Sequence, residues 1–304
     1  ILEKRNFDTL KEHGQFFTPP PVARYMAKQL GQFQNGAFLL EPAIGSGVLV
    51  CAVIERLIAE KHPLEISITA YETDKELCDL SREILRFASK EANKIGININ
   101  WQVIQEDFVL ACIPDNQPSL FDTSKSNKEA FTHIISNPPY FKLNAEDKRV
   151  KAVYGKLNGH TNIYTLFMAL SAKLLLPEGK ACFIVPRSFC SGVYFSEFRR
   201  DLLKDVTPFS LHVFQSRNDI FKSDSVLQEN VIFSFEKLAQ PQERRYWAGH
   251  INISSSNDDK NLEEGIISRQ VSYKHFLSDH NGLLQFRLPT GMLDEQIVDT
   301  VDKW

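Results

Sequence analysis

Four consecutive residues, Asn137-Pro138-Pro139-Tyr140, carry the strongest chemical signal in the chain. Each proline fixes φ and removes a backbone donor, so the carbonyls of the segment are left as acceptors. Asn137 adds a side-chain carbonyl oxygen and Tyr140 a flat aromatic face. The set describes a pocket for a planar group bearing an NH2. A proline-rich turn that merely ends a strand is the plainer alternative. The context favours the pocket, because the tetrapeptide follows the strand-like run Phe131–Ser136 and precedes a helical stretch, Asn162–Leu176.

Three further places carry carboxylates where a sheet of this kind would end its strands. Glu41-Pro42-Ala43-Ile44-Gly45-Ser46-Gly47 is a glycine turn between an apolar run and a helix, a junction that lets a ligand approach the backbone. It lacks the G-K-[ST] ending of a triphosphate loop and a third glycine at dinucleotide spacing. Glu72 ends the next strand and can accept from both hydroxyls of a ribose. Asp107-Phe108 ends the third, where a carboxylate can take an exocyclic amine while the ring packs on a base. Taken singly, each is also an ordinary turn or a solvated acid. Three acids on successive strand ends favour a neutral or cationic nucleoside over one carrying phosphates.

Between Phe141 and His160 stand Lys142, Lys148, Arg149, Lys151 and Lys156 against Glu146 and Asp147. This basic segment directly after the tetrapeptide is suited to phosphates, and Arg187, Arg217 and Lys222 would extend its rim. A solvated polar loop is the alternative. The eight histidines are scattered without metal-ligand spacing, so no metal is expected.

The elements that must position these groups follow from periodicity. Short apolar runs near residues 38–41, 65–72, 97–105, 131–136 and 180–185 alternate with helical stretches such as Val48–Glu60. Asp74 stands at the N-cap position of a helix reaching Asn93. That alternation implies a parallel sheet covered on both faces. Two more strands are expected at Val206–Phe214 and Val231–Phe235, for seven in all. Pro114–Lys128 reads as a polar surface loop. The expected division is a catalytic domain over 1–238, then a linker and the opening of a second domain over 239–304. Its last stretch, Leu293–Trp304, has a helical apolar face at Ile297, Val301 and Trp304.

Composition sets outer limits. The 304 residues include 35 Lys and Arg against 38 Asp and Glu, a net of −3, which excludes a wholly basic nucleic-acid binder. At 43% hydrophobic and 24% charged the chain is too apolar for disorder. No apolar stretch approaches the ~18 residues of a membrane span. Five cysteines (51, 78, 112, 182 and 190) without a C-x-x-C pair argue against disulfides and suit a reducing cytosol. The start at Ile1, without a signal-peptide pattern, reads as a trimmed natural beginning.

The order of these segments resembles the γ class of S-adenosylmethionine-dependent DNA methyltransferases that make N6-methyladenine. His13–Pro20 is similar to the family's motif X, Leu39–Gly47 to motif I, Tyr71–Asp74 to motif II and Glu106–Phe108 to motif III. Asn137–Tyr140 corresponds to motif IV, Asn162–Phe167 to V, Gly179–Arg187 to VI and Phe221–Ser223 to VIII. The resemblance implies a Rossmann-like α/β fold and a bacterial, cytoplasmic restriction-modification enzyme acting on double-stranded DNA, accompanied by a cognate restriction endonuclease.

It also implies roles. Thr18, with Glu41, Ala43 and Gly45, would surround the methionine end of S-adenosylmethionine. Glu72 would hold the ribose, and Asp107, Phe108 and Phe167 the adenine. Asn137 and the Pro138 carbonyl would accept from the target amine, while Tyr140 and Phe221 stack on the flipped base. Residues 283–290 and beyond would open the target recognition domain. Protein-glutamine methyltransferases share the tetrapeptide but would lack motif X. An RNA adenine methyltransferase would share the chemistry, and a non-catalytic nucleoside-binding module would carry a damaged tetrapeptide.

Overall fold

Neighbouring residues such as Leu39 and Leu40, or Ile134 and Ile135, fall into two separate apolar clusters. Side chains alternate across a strand, so each pair marks a strand buried on both faces. The computed structural model describes residues 18–112, 130–153, 162–215, 229–239, 248–257, 262 and 266–301. Five parallel strands form its first half: β1 (Ala37–Glu41), β2 (Leu64–Tyr71), β3 (Ile97–Ile104), β4 (Phe131–Ser136) and β5 (Leu175–Pro186). They are followed by β6 (Val206–Phe214), β7 (Asn230–Lys237), β8 (His250–Ser256) and β9 (Ile267–Ser272).

The order across the sheet is β3-β2-β1-β4-β5-β7-β6-β8-β9. The sheet is therefore nine-stranded rather than seven-stranded. Its mostly parallel α/β architecture is as expected; the two added strands come from residues beyond 239. β8 pairs parallel to β6 and β9 antiparallel to β8, so the polar run at 254–256 lies on a strand. This stretch falls in the segment expected to be linker, and its serine hydroxyls serve buried partners. Ser254 and Ser256 flank the ring of His212 at 2.8 and 3.0 Å, and Ser254 also meets the Tyr25 hydroxyl. Desolvation pushes His212 down to about 4, so it packs as a neutral ring.

Helix placement follows local rules. Pro19 and Pro20 start the Pro20–Gln29 helix, where a missing N–H costs nothing. Asp74 caps the Lys75–Asn93 helix by accepting from the Leu77 amide, as its position implies. Ile163–Leu174 is apolar all round because both of its sides are covered. A hairpin of β10 (Leu277–His280) and β11 (Leu283–Phe286) packs on the helix Ser196–Asp205. Arg199, fully buried, joins them by donating to the carbonyls of Leu284, Phe189 and Gly192. The helix expected at the end is present as Met292–Val301. Residues 13–17, the whole 114–128 loop, 154–161 and 216–228 lie outside the described residues.

The chain runs outward from β1 to β2 and β3, then returns to place β4 on the other side of β1. The carboxyl ends of β1 and β4 therefore diverge into opposite connections and leave a crevice between them. Glu41, Glu72, Asp107 and Asn137 all stand just at or after the ends of these four strands.

Candidate active site

The turn after β1 is built around two glycines. Gly45 and Gly47 have φ of 53° and 82°, backbone that side chains resist. A methyl group at Gly45 would meet no atom within 4 Å, and Gly45 lines a cavity of about 350 Å3. Glu72, 7% exposed, holds the turn in place by accepting from the Gly45 amide at 3.0 Å. Its other oxygen accepts from the Thr73 and Asp74 amides at 2.8 and 2.9 Å. A carboxylate has about four lone-pair sites, so a ribose hydroxyl would share an already occupied group.

Asp107 and Phe108 form one end of the cavity. One carboxylate oxygen of Asp107 accepts from the Leu110 amide at 3.1 Å and fixes the side chain. The Phe108 ring meets Tyr71 edge-on at 5.5 Å and lies 5.1 Å from Phe167. Three aromatic rings thus wall a slot beside a carboxylate, which is the chemistry for a flat base with an amine.

Asn137 lines the same cavity. Its amide nitrogen donates to the Thr18 hydroxyl at 3.0 Å, and its oxygen accepts from the Tyr140 hydroxyl at 2.5 Å. Tyr140 also reaches the Ile184 carbonyl at 2.8 Å, so its single proton is shared between two acceptors. Burial raises the Tyr140 phenol well above its usual range and keeps it protonated. Its ring stands edge-on to Tyr164 at 6.2 Å.

Glu41 lies behind the turn, with no exposed surface. Neither of its oxygens has a hydrogen-bond partner among the described residues. Burial raises its pKa well above the ordinary carboxylate range; Ser136 and the Ala43 backbone, near it but outside hydrogen-bonding geometry, offset this only in part, and the nearby Glu72 adds to it. An acid so placed is held in its neutral, protonated form.

Of the residues expected to form the site, Thr18, Ala43, Gly45, Glu72, Asp107, Phe108, Phe167, Asn137 and Pro139 line this one cavity. Glu41, Pro138 and Tyr140 stand outside its lining. Phe221, Arg217 and Lys222 lie outside the described residues. Arg149, expected on the phosphate rim, is in the cavity wall. Lys142 and Lys148 are exposed, Lys151 pairs with Glu146 at 2.6 Å, and Arg187 pairs with Glu229 at 3.1 Å. Sequence reasoning missed Tyr71, Leu77 and Phe141 as lining residues. The signal for Tyr71 and Phe141 was adjacency, since one precedes Glu72 and the other follows Tyr140. Among the described residues no cluster of three metal-ligating side chains occurs, and no helix is long and apolar enough to cross a membrane. All five cysteines are unbridged.

Comparison with known proteins bears on the whole arrangement. The family model described as "Eco57I restriction-modification methylase" matches residues 54–221, more than half of the chain. The type II methyltransferase M.BsuBI of Bacillus subtilis is 36% identical over 252 residues, covering 82% of this chain and 47% of the relative. M.PstI of Providencia stuartii is 32% identical over 225 residues, covering 74% and 43%. The chain thus spans about half the length of these curated relatives. A Listeria monocytogenes structure described as a class I S-adenosylmethionine-dependent methyltransferase superposes with a TM-score of 0.55 at 16% identity. It covers 87% of this chain and 80% of its own, and that likeness shows the fold. With the matched segment holding the Glu72, Asp107 and Asn137 ends of this cavity, the chain belongs to the Eco57I restriction-modification methylase family.

Proposed function

We propose that this chain binds S-adenosylmethionine in the cavity and transfers its methyl group to the N6 amine of an adenine flipped out of double-stranded DNA, within a restriction-modification system. The observation that carries the reading is that Asn137 and Pro139 line the same cavity as Asp107, Phe108 and Phe167. An amine acceptor and a nucleoside slot therefore open onto one space.

The residues present fit the cofactor. Asp107 would accept from its adenine amine between Phe108 and Phe167, and Glu72 would take a ribose hydroxyl. Ala43, Gly45 and Thr18 line the remaining length, toward the methionine end. S-adenosylmethionine, when bound, supplies an electrophilic methyl group on a positively charged sulfur.

The protein's part is positioning. An adenine amine is a poor nucleophile because its lone pair is delocalised into the ring. The Asn137 oxygen and the Pro138 carbonyl would accept its two hydrogens and draw the nitrogen toward tetrahedral geometry, freeing the lone pair. Tyr140, with Phe221, would stack on the base, which must leave the duplex because its amine is buried there. A neutral amide takes no proton, so Asn137 acts by orientation and electrostatics. Lys142, Lys148 and Lys151, after the tetrapeptide, would contact DNA backbone, residues 1–238 would hold catalysis, and 239–304 would lead into target recognition. A cognate endonuclease would share the recognition site.

The test is transfer of a tritiated methyl group to DNA by the natural full-length protein, followed by digestion to nucleosides. Label in N6-methyladenine is the expected result, abolished by Asn137→Ala with cofactor binding retained. Label in cytosine, in RNA alone or in protein alone would overturn the reading.

A further inference from the structure

Arg149 belongs to the short helix Lys148–Val153, just after the tetrapeptide, where a basic side chain suggests phosphate binding. Its surroundings say otherwise. Its Nε lies 3.7 Å from the Asp107 oxygen that the Leu110 amide leaves open, and 3.0 Å from an Asp147 oxygen. Its guanidinium sits over the Phe141 ring, 5.2 Å from the centroid. Asp107, Phe141 and Arg149 all line the cavity. A phosphate approaching this guanidinium would meet two carboxylates already beside it, a local excess of negative charge.

We propose that Arg149 is a wall residue of the nucleoside cavity that retains the cofactor's base through Asp107, and is not a contact to nucleic-acid phosphate. This rests on the cofactor reading above. With one oxygen of Asp107 held by the Leu110 amide, the guanidinium steers the other, so the carboxylate meets an incoming amine already aimed. Seated on Phe141, the planar guanidinium is held beside that partly buried carboxylate, and a charge-assisted hydrogen bond to a carboxylate so placed is stronger than one to a fully solvated group. Arg149 acts through another residue and is therefore a positioning residue.

The experiment is calorimetry of S-adenosylhomocysteine with the chain, in the absence of DNA, for wild type, Arg149→Ala, Arg149→Lys, Asp107→Asn and the double variant Asp107→Asn/Arg149→Ala. Arg149→Ala is expected to weaken binding about tenfold. The lysine variant should recover part of this, since it keeps the charge but not the plane that rests on Phe141. On the Asp107→Asn background the loss should shrink to less than about threefold, because the two residues act as a pair. The melting temperature without nucleoside should be unchanged, which separates the effect from folding. Affinity for duplex DNA and its salt slope should also be unchanged. Unaltered nucleoside affinity in Arg149→Ala, or a salt slope reduced by about 1, would overturn the proposal. Failure of the wild type to bind S-adenosylhomocysteine at all would overturn the cofactor reading with it, whereas wild-type binding that Arg149→Ala leaves untouched defeats this inference alone.

Discussion

The amide nitrogen of Asn137 donates to the Thr18 hydroxyl at 3.0 Å, across 119 positions of sequence. Thr18 precedes the first described helix and is 6% exposed, so this bond is shielded from solvent. With the amide in this orientation its oxygen is the acceptor on the Tyr140 side. That is the polarity an amine substrate requires.

Thr18→Val therefore keeps the shape and removes the orienting hydroxyl. Turnover in the methyl-transfer assay is expected to fall about tenfold, the worth of one such bond. Thr18→Ser should restore most of it. A valine variant with full turnover would show that the amide needs no external orientation.

Glu72 accepts three backbone amides, so its replacement acts on the fold as well as on the ligand. Glu72→Ala should cost about 3 kcal/mol of stability by leaving the Gly45, Thr73 and Asp74 donors without their acceptor. Chemical denaturation measures that loss, and calorimetry with S-adenosylhomocysteine should show weakened binding as well. Loss of affinity at unchanged stability would mean that the turn holds itself.

Glu41 gives a pH signature of the opposite sign to most carboxylates. Its pKa is raised in the fold, so the folded state keeps a proton that the unfolded chain releases in the ordinary carboxylate range. Its contribution to stability is present below that range and falls as pH rises toward the folded pKa. Glu41→Gln should stabilise the ligand-free protein, with a gain over wild type that grows with pH. Parallel denaturation curves at pH 5 and pH 8 for the two proteins check this.

His212 works in the other direction. Burial lowers it from 6.5 to about 4, so the unfolded chain takes up the proton first on acidification. Stability from this ring is present above pH 6.5 and is lost as pH falls toward 4, by up to about 3 kcal/mol. His212→Asn should be less stable at neutral pH yet lose less on acidification than wild type. Urea midpoints at pH 7 and pH 5 would show it.

Much of this architecture could be read from the residues. The strand at Phe131–Ser136 and the helices Val48–Glu60 and Lys75–Asn93 agree with expectation because period and caps coincide there. The carboxylates at successive strand ends were visible for the same reason, since parallel order forces them to one edge. The strands β8 and β9 were not, because serine and asparagine signal loops when their burial partners lie on distant strands. Arg149 was read from charge alone. What places it in the cavity wall is the ring of Phe141 and two carboxylates, a matter of packing that sequence spacing does not encode.

The position of β8 has a consequence for how the chain could be divided. It covers the backbone edge of β6 from Ser210 to Phe214 and carries the hydroxyls that flank His212. A chain severed just after β7 would keep every motif of the cavity and bare a row of unpaired peptide groups beside a stranded imidazole. Such a fragment would present an adhesive border to other chains, and self-association there would compete with folding. The residues that line the cavity thus end at Phe167, well before the sheet beneath them ends at β9.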